Sequence, residues 1–592
     1  MTDGIGAGTG NGRSAVLVSQ GNDGHRPTTP SGDRSPAVPI LPGSPPPSVP
    51  QVLTDPMAIA QIDTVLARHR RFLESLPGVI DVRRGYKVTD GWISTTPCIV
   101  VTVKQKTSAT PLQIPTQLDG VLIDVAPATP RQQLLALSPE TRRTLTLSSA
   151  FGDEEIIRTS RYVPPPHLKL DQVEAAMTVL CHTSPDAGWP TLKSFLSGIT
   201  QRLTLGMYDF TAPHIRAQLI AAMANVRGDL RIVLDPKLAL GAPGEGDNPK
   251  AGDETEDEVK AEIEKALKKR VQFVWAAVKV EGKTTKGIFP SAYHIKVGVR
   301  DGVDFWLSSG NWQSSNQPDL DPLGRDAGDA QILNVYNREW HVVLSHRGLA
   351  QLFEQFLEWD VEQAEPLQVE PELAALPELA MPPRPEVLEV APRFFSPKTF
   401  TATDERPLRV QPLLSPDNYA EHTLELVKSA RHNLYIQNQY IKIAKQNAKE
   451  FMDILDAIKR AIRDRVDVRI IVRDLPDTRT HLEALQQYGI DLSHVKVLRN
   501  THTKGVIVDS SVVMVGSHNW SNDGVLYNRD ASLIFYDADI AKFYEDVFLY
   551  DWSRAKQQMS FEMAMPVVVG AQESAPLGYE TVRWTDVYDG LS

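Results

Sequence analysis

The feature that most restricts this chain is an internal repeat set about two hundred residues apart. The first copy, HIKVGVRDGVDFWLSSGNW, carries His294, Lys296, Asp301, Ser309, Asn311 and Trp312. The second, HTKGVIVDSSVVMVGSHNW, carries His502, Lys504, Asp509, Ser517, Asn519 and Trp520. Each of these residues falls at the same offset from its histidine in both copies. Further along, Asn337-Arg338-Glu339 is echoed by Asn528-Arg529-Asp530. A His-x-Lys/Arg pair alone says little: 14 His and 62 Lys+Arg in 592 residues give about one or two by chance. Two copies that share the Asp and Ser-x-Asn steps exceed chance. Such a chain should fold as two like halves.

The residue types point to phosphodiester chemistry. Ile295, Val297 and Val299 alternate in the first copy, and Val506, Ile507 and Val508 crowd the second, so both copies read as strands. Side chains at i and i+2 of a strand share a face. His294 therefore points with Lys296, and His502 with Lys504, about 7 Å apart along the backbone. That gap suits a phosphate. An imidazole can attack phosphorus or carry a proton near neutral pH, and a lysine offers charge and donors to non-bridging oxygens. One histidine cannot be nucleophile and leaving-group acid at once, so the duplication supplies the second if the halves meet about a pseudo-twofold axis. Ser309, Asn311, Ser517 and Asn519 are expected to donate further hydrogen bonds to phosphate. Glu339 and Asp530 are expected to orient the histidines through the other ring nitrogen. Asp301 and Asp509, five positions past their lysines, fall on the opposite face and read as structural. Trp312 and Trp520 either wall the site or pack in the core.

These residues resemble the phospholipase D superfamily, whose signature is H-x-K-x4-D followed by G-S-x-N, twice per chain. The resemblance spans residues 170–360 and 393–560. It implies a metal-independent, cofactor-free reaction in two steps through a phosphohistidine. It assigns His294 as nucleophile and His502 as general acid and then base, with the opposite assignment left open by the near symmetry. One departure is Ser308, where the family usually has Gly. Gln437-Asn438-Gln439-Tyr440 resembles the I-E-N-Q stretch of phospholipases D, and Tyr208-Asp209 occupies the matching place in the first half. Pro318 to Asp329, an insertion in the first half, reads as a surface loop that shapes the substrate entrance.

The expected fold class is α/β: two tandem phospholipase D-like α-β-α sandwich halves forming a pseudo-dimer, preceded by a small α/β module and a disordered tail. Residues 1–53, rich in Gly, Pro and Ser, are the tail. Residues 54–130 hold a helical pattern, then strand-like runs at Val79–Val82, Ile99–Val103 and 114–125, with nothing catalytic. Residues 361–392, Pro/Glu-rich, read as a linker, and 561–592 as a C-terminal tail whose Trp584 and Tyr588 pack back on the body. The run Gly244 to Glu258 reads as an exposed loop opening a helix along its dipole. Cys98 and Cys181 are too few for a disulfide framework and suit buried filler positions.

Apolar content of 42% and charged content of 23% are those of a globular protein. No apolar stretch is long enough to span a bilayer, and the N-terminus lacks a charged-then-apolar signal pattern, so the expected location is cytoplasmic with at most peripheral membrane contact. A net charge of −12 disfavours broad electrostatic capture of nucleic acid or anionic membrane. The leading expectation is a phosphodiesterase acting on a phospholipid head group, by hydrolysis or by transfer to an alcohol. A nuclease cutting DNA or RNA with the same residues is the alternative. An inactive phosphate-binding scaffold is disfavoured by two intact His/Lys pairs. A synthase joining two lipid molecules is disfavoured because such enzymes usually carry membrane segments.

Overall fold

A computed structural model describes residues 56–106, 113–137, 162–224, 226–236, 252–280, 284–329, 331–364, 378–382, 390–562, 564–569 and 574–582. The expected tail at 1–53, most of the 361–392 linker, and Trp584 and Tyr588 lie outside these residues.

The repeat becomes two eight-stranded mixed sheets with one strand order. In the first half seven strands run Thr178–Ser184, Glu339–Ser345, Asp304–Ser308, Lys296–Arg300, Leu203–Met207, Leu230–Leu234, Val271–Trp275. In the second they run Leu408–Ser415, Asp530–Phe535, Val512–Gly516, Lys504–Val508, Asn433–Asn438, Asp467–Arg473, Val495–Leu498. The last three strands of each series are parallel and the rest antiparallel. Parallel pairs need crossover helices, and Pro213–Ala224, Glu256–Leu267, Lys449–Arg463 and Thr478–Tyr488 supply them. In Lys449–Arg463 the apolar Phe451, Ile454, Leu455 and Ile458 share the buried face.

The eighth strand of each sheet comes from the other half. Lys398–Thr401, which leads into the second half, pairs with Thr178–Ser184 of the first sheet. Val173–Ala175, which leads into the first half, pairs with Leu408–Ser415 of the second. This reciprocal exchange covers one edge of each sheet and ties the halves together. Between the sheets lie two 17-residue helices, Arg347–Gln363 and Ala538–Arg554. They pack with Val297, Phe305 and Leu307 of one sheet and Ile507, Val513 and Val515 of the other in one continuous apolar core. Each half has its own outer apolar layer, in which Trp312 and Trp520 are buried.

The module before the halves is a helix, Pro56–Glu74, on a four-stranded sheet of Val79–Thr89, Trp92–Val103, Val121–Pro127 and Gln117–Leu118. The first two strands are longer than the hydrophobic runs suggest because a tight hairpin joins them, and a second tight hairpin splits the expected run 114–125 into two strands. Asp90-Gly91 and Asp119-Gly120 take positive φ at both turn positions (51° and 76°, 47° and 78°), as two-residue hairpin turns require. The module docks on the second half through Arg479, whose guanidinium donates to Asp124 of the module at 2.7 Å and to Glu483 and Glu562 at 3.0 Å. Part of the segment read as linker, Glu378–Met381, is a strand between Val567–Val569 and Glu580–Val582 of the C-terminal segment. Among the described residues no helix is long and apolar enough to cross a membrane.

Candidate active site

Each histidine stands just before the strand of its motif. Lys296 and Lys504 are the first residues of Lys296–Arg300 and Lys504–Val508. The first pair of residues after each strand turns the chain back: Asp301 (φ 57°) and Asp509 (φ 50°) sit in left-handed backbone there. Asp301 accepts the backbone N–H groups of Thr200, Gln201 and Arg202 at 2.8–3.0 Å. Asp509 accepts those of Arg431, His432 and Asn433 at 2.7–3.0 Å. Both aspartates thus lock the turn beneath a motif strand, away from the reactive end.

The halves meet through their reactive residues, and each histidine is governed by the other half. His502 Nδ1 donates to Glu339 Oε1 at 2.6 Å. His294 Nδ1 pairs with Asp530 Oδ1 at 2.8 Å. All four side chains are buried. Backbone links run the same way: His502 N–H donates to Arg338 O, and Arg529 N–H to Ala292 O. Removal of the Asp530 carboxylate from water pushes its pKa up to about 7, against the attraction of Lys296 and the Ser517 hydrogen bond. Burial, Lys504, Arg473, Lys296 and His294 together hold His502 well below the usual imidazole range.

The two lysines do not span a phosphate-sized gap to their histidines. Lys504 Nζ lies 2.8 Å from His502 Nε2 and also donates to Ser309 O at 3.1 Å. Lys296 Nζ donates to the His294 carbonyl at 2.6 Å. Strand spacing sets the Cα separation, while flexible lysine stems set where the charge goes.

The serines hold the carboxylates. Ser309 Oγ donates to Glu339 Oε2, and Ser517 Oγ to Asp530 Oδ1. Their hydroxyl protons are thereby committed to positioning the carboxylates, which differs from the expected donation to phosphate. Asn311 Nδ2 donates to Asp209 at 2.8 Å, leaving Asn311 Oδ1 and Asn519 Oδ1 buried without a hydrogen-bond partner. Tyr208 packs its ring 4.9 Å from His294 and 5.2 Å from Lys296 Nζ. Gln437 donates to Thr501 and Asp551, so it ties elements together, and Asn438 donates to His518 O. Trp312 packs against Phe210 and Trp306, and Trp520 Nε1 donates to Tyr419, which places both in the core.

Ser308 is explained by an exchange between halves. Its hydroxyl bonds His341 Nδ1 at 2.6 Å and bridges to Gly310. In the second half Ser532 replaces His341 in register, and His518 replaces Gly310; there His518 Nδ1 bonds Ser532 Oγ at 2.7 Å. Gly516 faces that serine, and a Cβ on Gly516 would come within 1.8 Å of Ser532 Oγ. Each half therefore buries an imidazole bonded to a serine, from opposite strands of the same pair, and in the first half His182 stacks on it, 4.8 Å from His341.

These histidines make a prediction about acid. Burial holds His182 at about 3 and pushes His341, His518 and His502 well below 6.5. The unfolded chain takes up protons below about pH 6.5, which the folded chain refuses. The stability is present above that pH and is lost as pH falls towards the folded values. The urea midpoint should fall steadily from about pH 6.5 towards pH 4; a flat midpoint over that range would contradict the buried neutral imidazoles.

Sequence reasoning missed two buried ion triads beside the site. Arg338 donates to Asp186 and, at 3.1 Å, to Asp551 on helix Ala538–Arg554. Arg529 donates to Asp417 at 2.8 Å and in two-pronged fashion to Asp360 on helix Arg347–Gln363 at 2.9 and 3.0 Å. The signal was available: Ser184-Pro185-Asp186 recurs as Ser415-Pro416-Asp417, and Asp360 and Asp551 occupy the same step of two equal-length helices.

Residues 423–552 match the family model described as "Cardiolipin synthase, PLD-like domain". Cardiolipin synthase 2 of Staphylococcus epidermidis is 29% identical over 148 residues, 24% of this chain and 29% of that protein. Cardiolipin synthase A of Pseudomonas fluorescens is 32% identical over 110 residues, 18% of this chain and 23% of that protein. The chain thus matches less than a third of the length of these curated relatives. The solved phosphatidylserine synthase of Haemophilus influenzae aligns over 64% of this chain and 88% of its own, with 12% identity and a TM-score of 0.42.

Proposed function

We propose that this chain, a member of the phospholipase D superfamily, is a phosphodiesterase that transfers or hydrolyses a phospholipid head group through a phosphohistidine. The observation that carries the reading is the crossed pairing: His502 on Glu339 and His294 on Asp530, each carboxylate from the opposite half. It makes one composite site with two histidines, as a displacement at phosphorus followed by its reversal requires. One histidine attacks the phosphorus while the other protonates the departing alkoxide. The second histidine then takes the proton of the incoming water or alcohol, and the nitrogen–phosphorus bond breaks. Lys296 and Lys504 neutralise the phosphoryl oxygens. Glu339 and Asp530 hold each Nδ1 so that Nε2 faces the substrate.

The names of the relatives favour a lipid substrate and an alcohol acceptor over nucleic acid. The test is turnover in EDTA by wild type and His502→Asn. One tube holds phosphatidylglycerol vesicles with ethanol, the other single- and double-stranded DNA. Histidine-dependent phosphatidylethanol is the expected result, with cardiolipin appearing if a second lipid is the better acceptor. DNA cleavage without a lipid product would replace this reading with the nuclease.

A further inference from the structure

Resting on the phosphodiester reading above, we propose that the module ahead of the two halves takes part in substrate recognition. Its Arg131, with Lys442 and His481 of the second half, forms a subsite for a second anionic group, a phosphate or carboxylate carried by the alcohol that leaves or enters.

The subsite lies at the reactive end of the second sheet. Lys504 opens its strand opposite Asn438, the last residue of Asn433–Asn438. From there the chain runs outward. Gln439 O accepts the N–H of Arg473 at 3.0 Å, and Tyr440 sets its ring 6.0 Å from that of His481. Lys442 N–H then donates to the carbonyl of Trp520, the residue after Asn519 of the motif, at 2.8 Å. Arg473 is 8% exposed and adds its charge to the surroundings of His502. Tyr440, Lys442, His481 and Arg131 are half-buried. Positive charge therefore continues from the closed centre to an opening where water screens it only in part.

Arg131 reaches this opening from the module side on helix Pro130–Leu137, whose start is fixed twice. Thr129 N–H donates to Gln132 Oε1 at 3.0 Å and Gln132 N–H to Thr129 Oγ1 at 3.3 Å, the reciprocal bonds of a capping box. Gln133 Nε2 donates to Ala128 O and Pro566 O, each at 2.8 Å, and its Oε1 accepts Val568 N–H at 3.0 Å. Thr129 and Gln132, which flank Arg131, face Leu475, Pro476 and Thr480 across a cleft. His481 follows Thr480, and the cations acting on its ring are Lys442 and Arg131. Burial and these two cations hold His481 at about 3, so the ring stays neutral and has an N–H to offer an anion.

The first half carries the opposite charge at the same place. Phe210 bridges Trp312 as Ile441 bridges Trp520, and the N–H groups of Thr211 and Lys442 each donate to the carbonyl of their tryptophan. Lys442 thus stands where Thr211 stands. Thr211 Oγ1 donates to Asp253 at 3.0 Å, its carbonyl accepts Glu254 N–H at 2.8 Å, and Glu256 accepts Phe210 N–H at 3.2 Å. Of these three acids Glu254 is paired with Arg216. Carboxylates on one rim and cations on the other orient a ligand charged at one end. The His/Lys pairs serve the scissile phosphate, and the outer cations suit a second anion.

Acceptors that differ only in charge test this. Phosphatidylglycerol, dilute in phosphatidylcholine vesicles, is mixed with radiolabelled glycerol or radiolabelled glycerol phosphate, and the ratio of their kcat/KM values is followed. Wild type should favour glycerol phosphate. Arg131→Gln and Lys442→Gln should each lower the ratio about tenfold, chiefly through KM. Arg131→Lys should keep most of it, and Arg131→Glu should lower it further, a charge series that a packing role would not produce. Arg68→Ala removes another cation of the module and should leave the ratio unchanged. An unchanged ratio in Arg131→Glu, or an equal fall in Arg68→Ala, would overturn the subsite. So would an Arg131 effect of the same size on both acceptors, which would give the cluster to the vesicle surface. Transfer to neither acceptor by wild type would overturn the phospholipid reading and the subsite with it.

Discussion

Glu339→Gln is expected to lower kcat by about a thousand- to ten-thousand-fold while leaving the fold and substrate affinity close to wild type. Glu339 sits in the first half and acts on His502 in the second, at 2.6 Å through Nδ1. In the proposed reaction the ring gains positive charge as it takes a bond to phosphorus or a proton, and a buried carboxylate offsets that charge where no water can. The amide keeps the shape and can still accept from Nδ1–H, so what is removed is charge. Ser309 can accept from the amide N–H in place of donating, which keeps the side chain in position. Steady-state kinetics with circular dichroism checks this. A loss of less than tenfold would mean that Glu339 only packs.

Arg338→Leu and Arg529→Leu are each expected to destabilise the protein by about 3–5 kcal/mol. Each arginine lies between two aspartates, one from its own half and one on the long helix of the other, all buried except the partly exposed Asp417. Removing Arg529 takes the guanidinium from both Asp360 and Asp417, and removing Arg338 takes it from Asp186 while Asp551 keeps only the longer contact to Arg554 at 3.7 Å. Asp360 is held at about 6 even with Arg529 present, because burial outweighs the pairing. Loss of the arginine should push it higher and loosen the contact between halves. The control is Arg68→Ala, whose pair with Asp119 is exposed (63% and 41%) and whose loss should leave the urea midpoint almost unmoved. Urea unfolding separates the two: equal effects at Arg338 and Arg68 would remove the triads from the account of how the halves are held.

The doubled fold and the two His/Lys pairs were legible because a repeat preserves spacing, and spacing survives without coordinates. The register of the motif strands followed from alternation around Val297 and Val299. What was not legible arises between elements. The crossed pairing of Glu339 with His502 and of Asp530 with His294 depends on which half faces which, and nothing local states it. The exchanged strands Lys398–Thr401 and Val173–Ala175 are short, and their partners are more than two hundred residues away. The serines were assigned to substrate because their position near the site was visible and their buried carboxylate partners were not. Two signals were present in the sequence: the Ser-Pro-Asp repeat that ends at Asp186 and Asp417, and the Asp-Gly turn at Asp90 that makes one long hairpin out of two short hydrophobic runs.

If the two halves build a single site, both histidines serve one reaction. A kinetic cycle of His294→Ala, His502→Ala and the double variant on a natural phosphodiester tests it directly. Each single variant should fall by several orders of magnitude, and the double should be about as slow as the slower single, since residues acting as a unit are not additive. A single variant keeping roughly half of the wild-type rate, as two independent sites would give, would contradict the account.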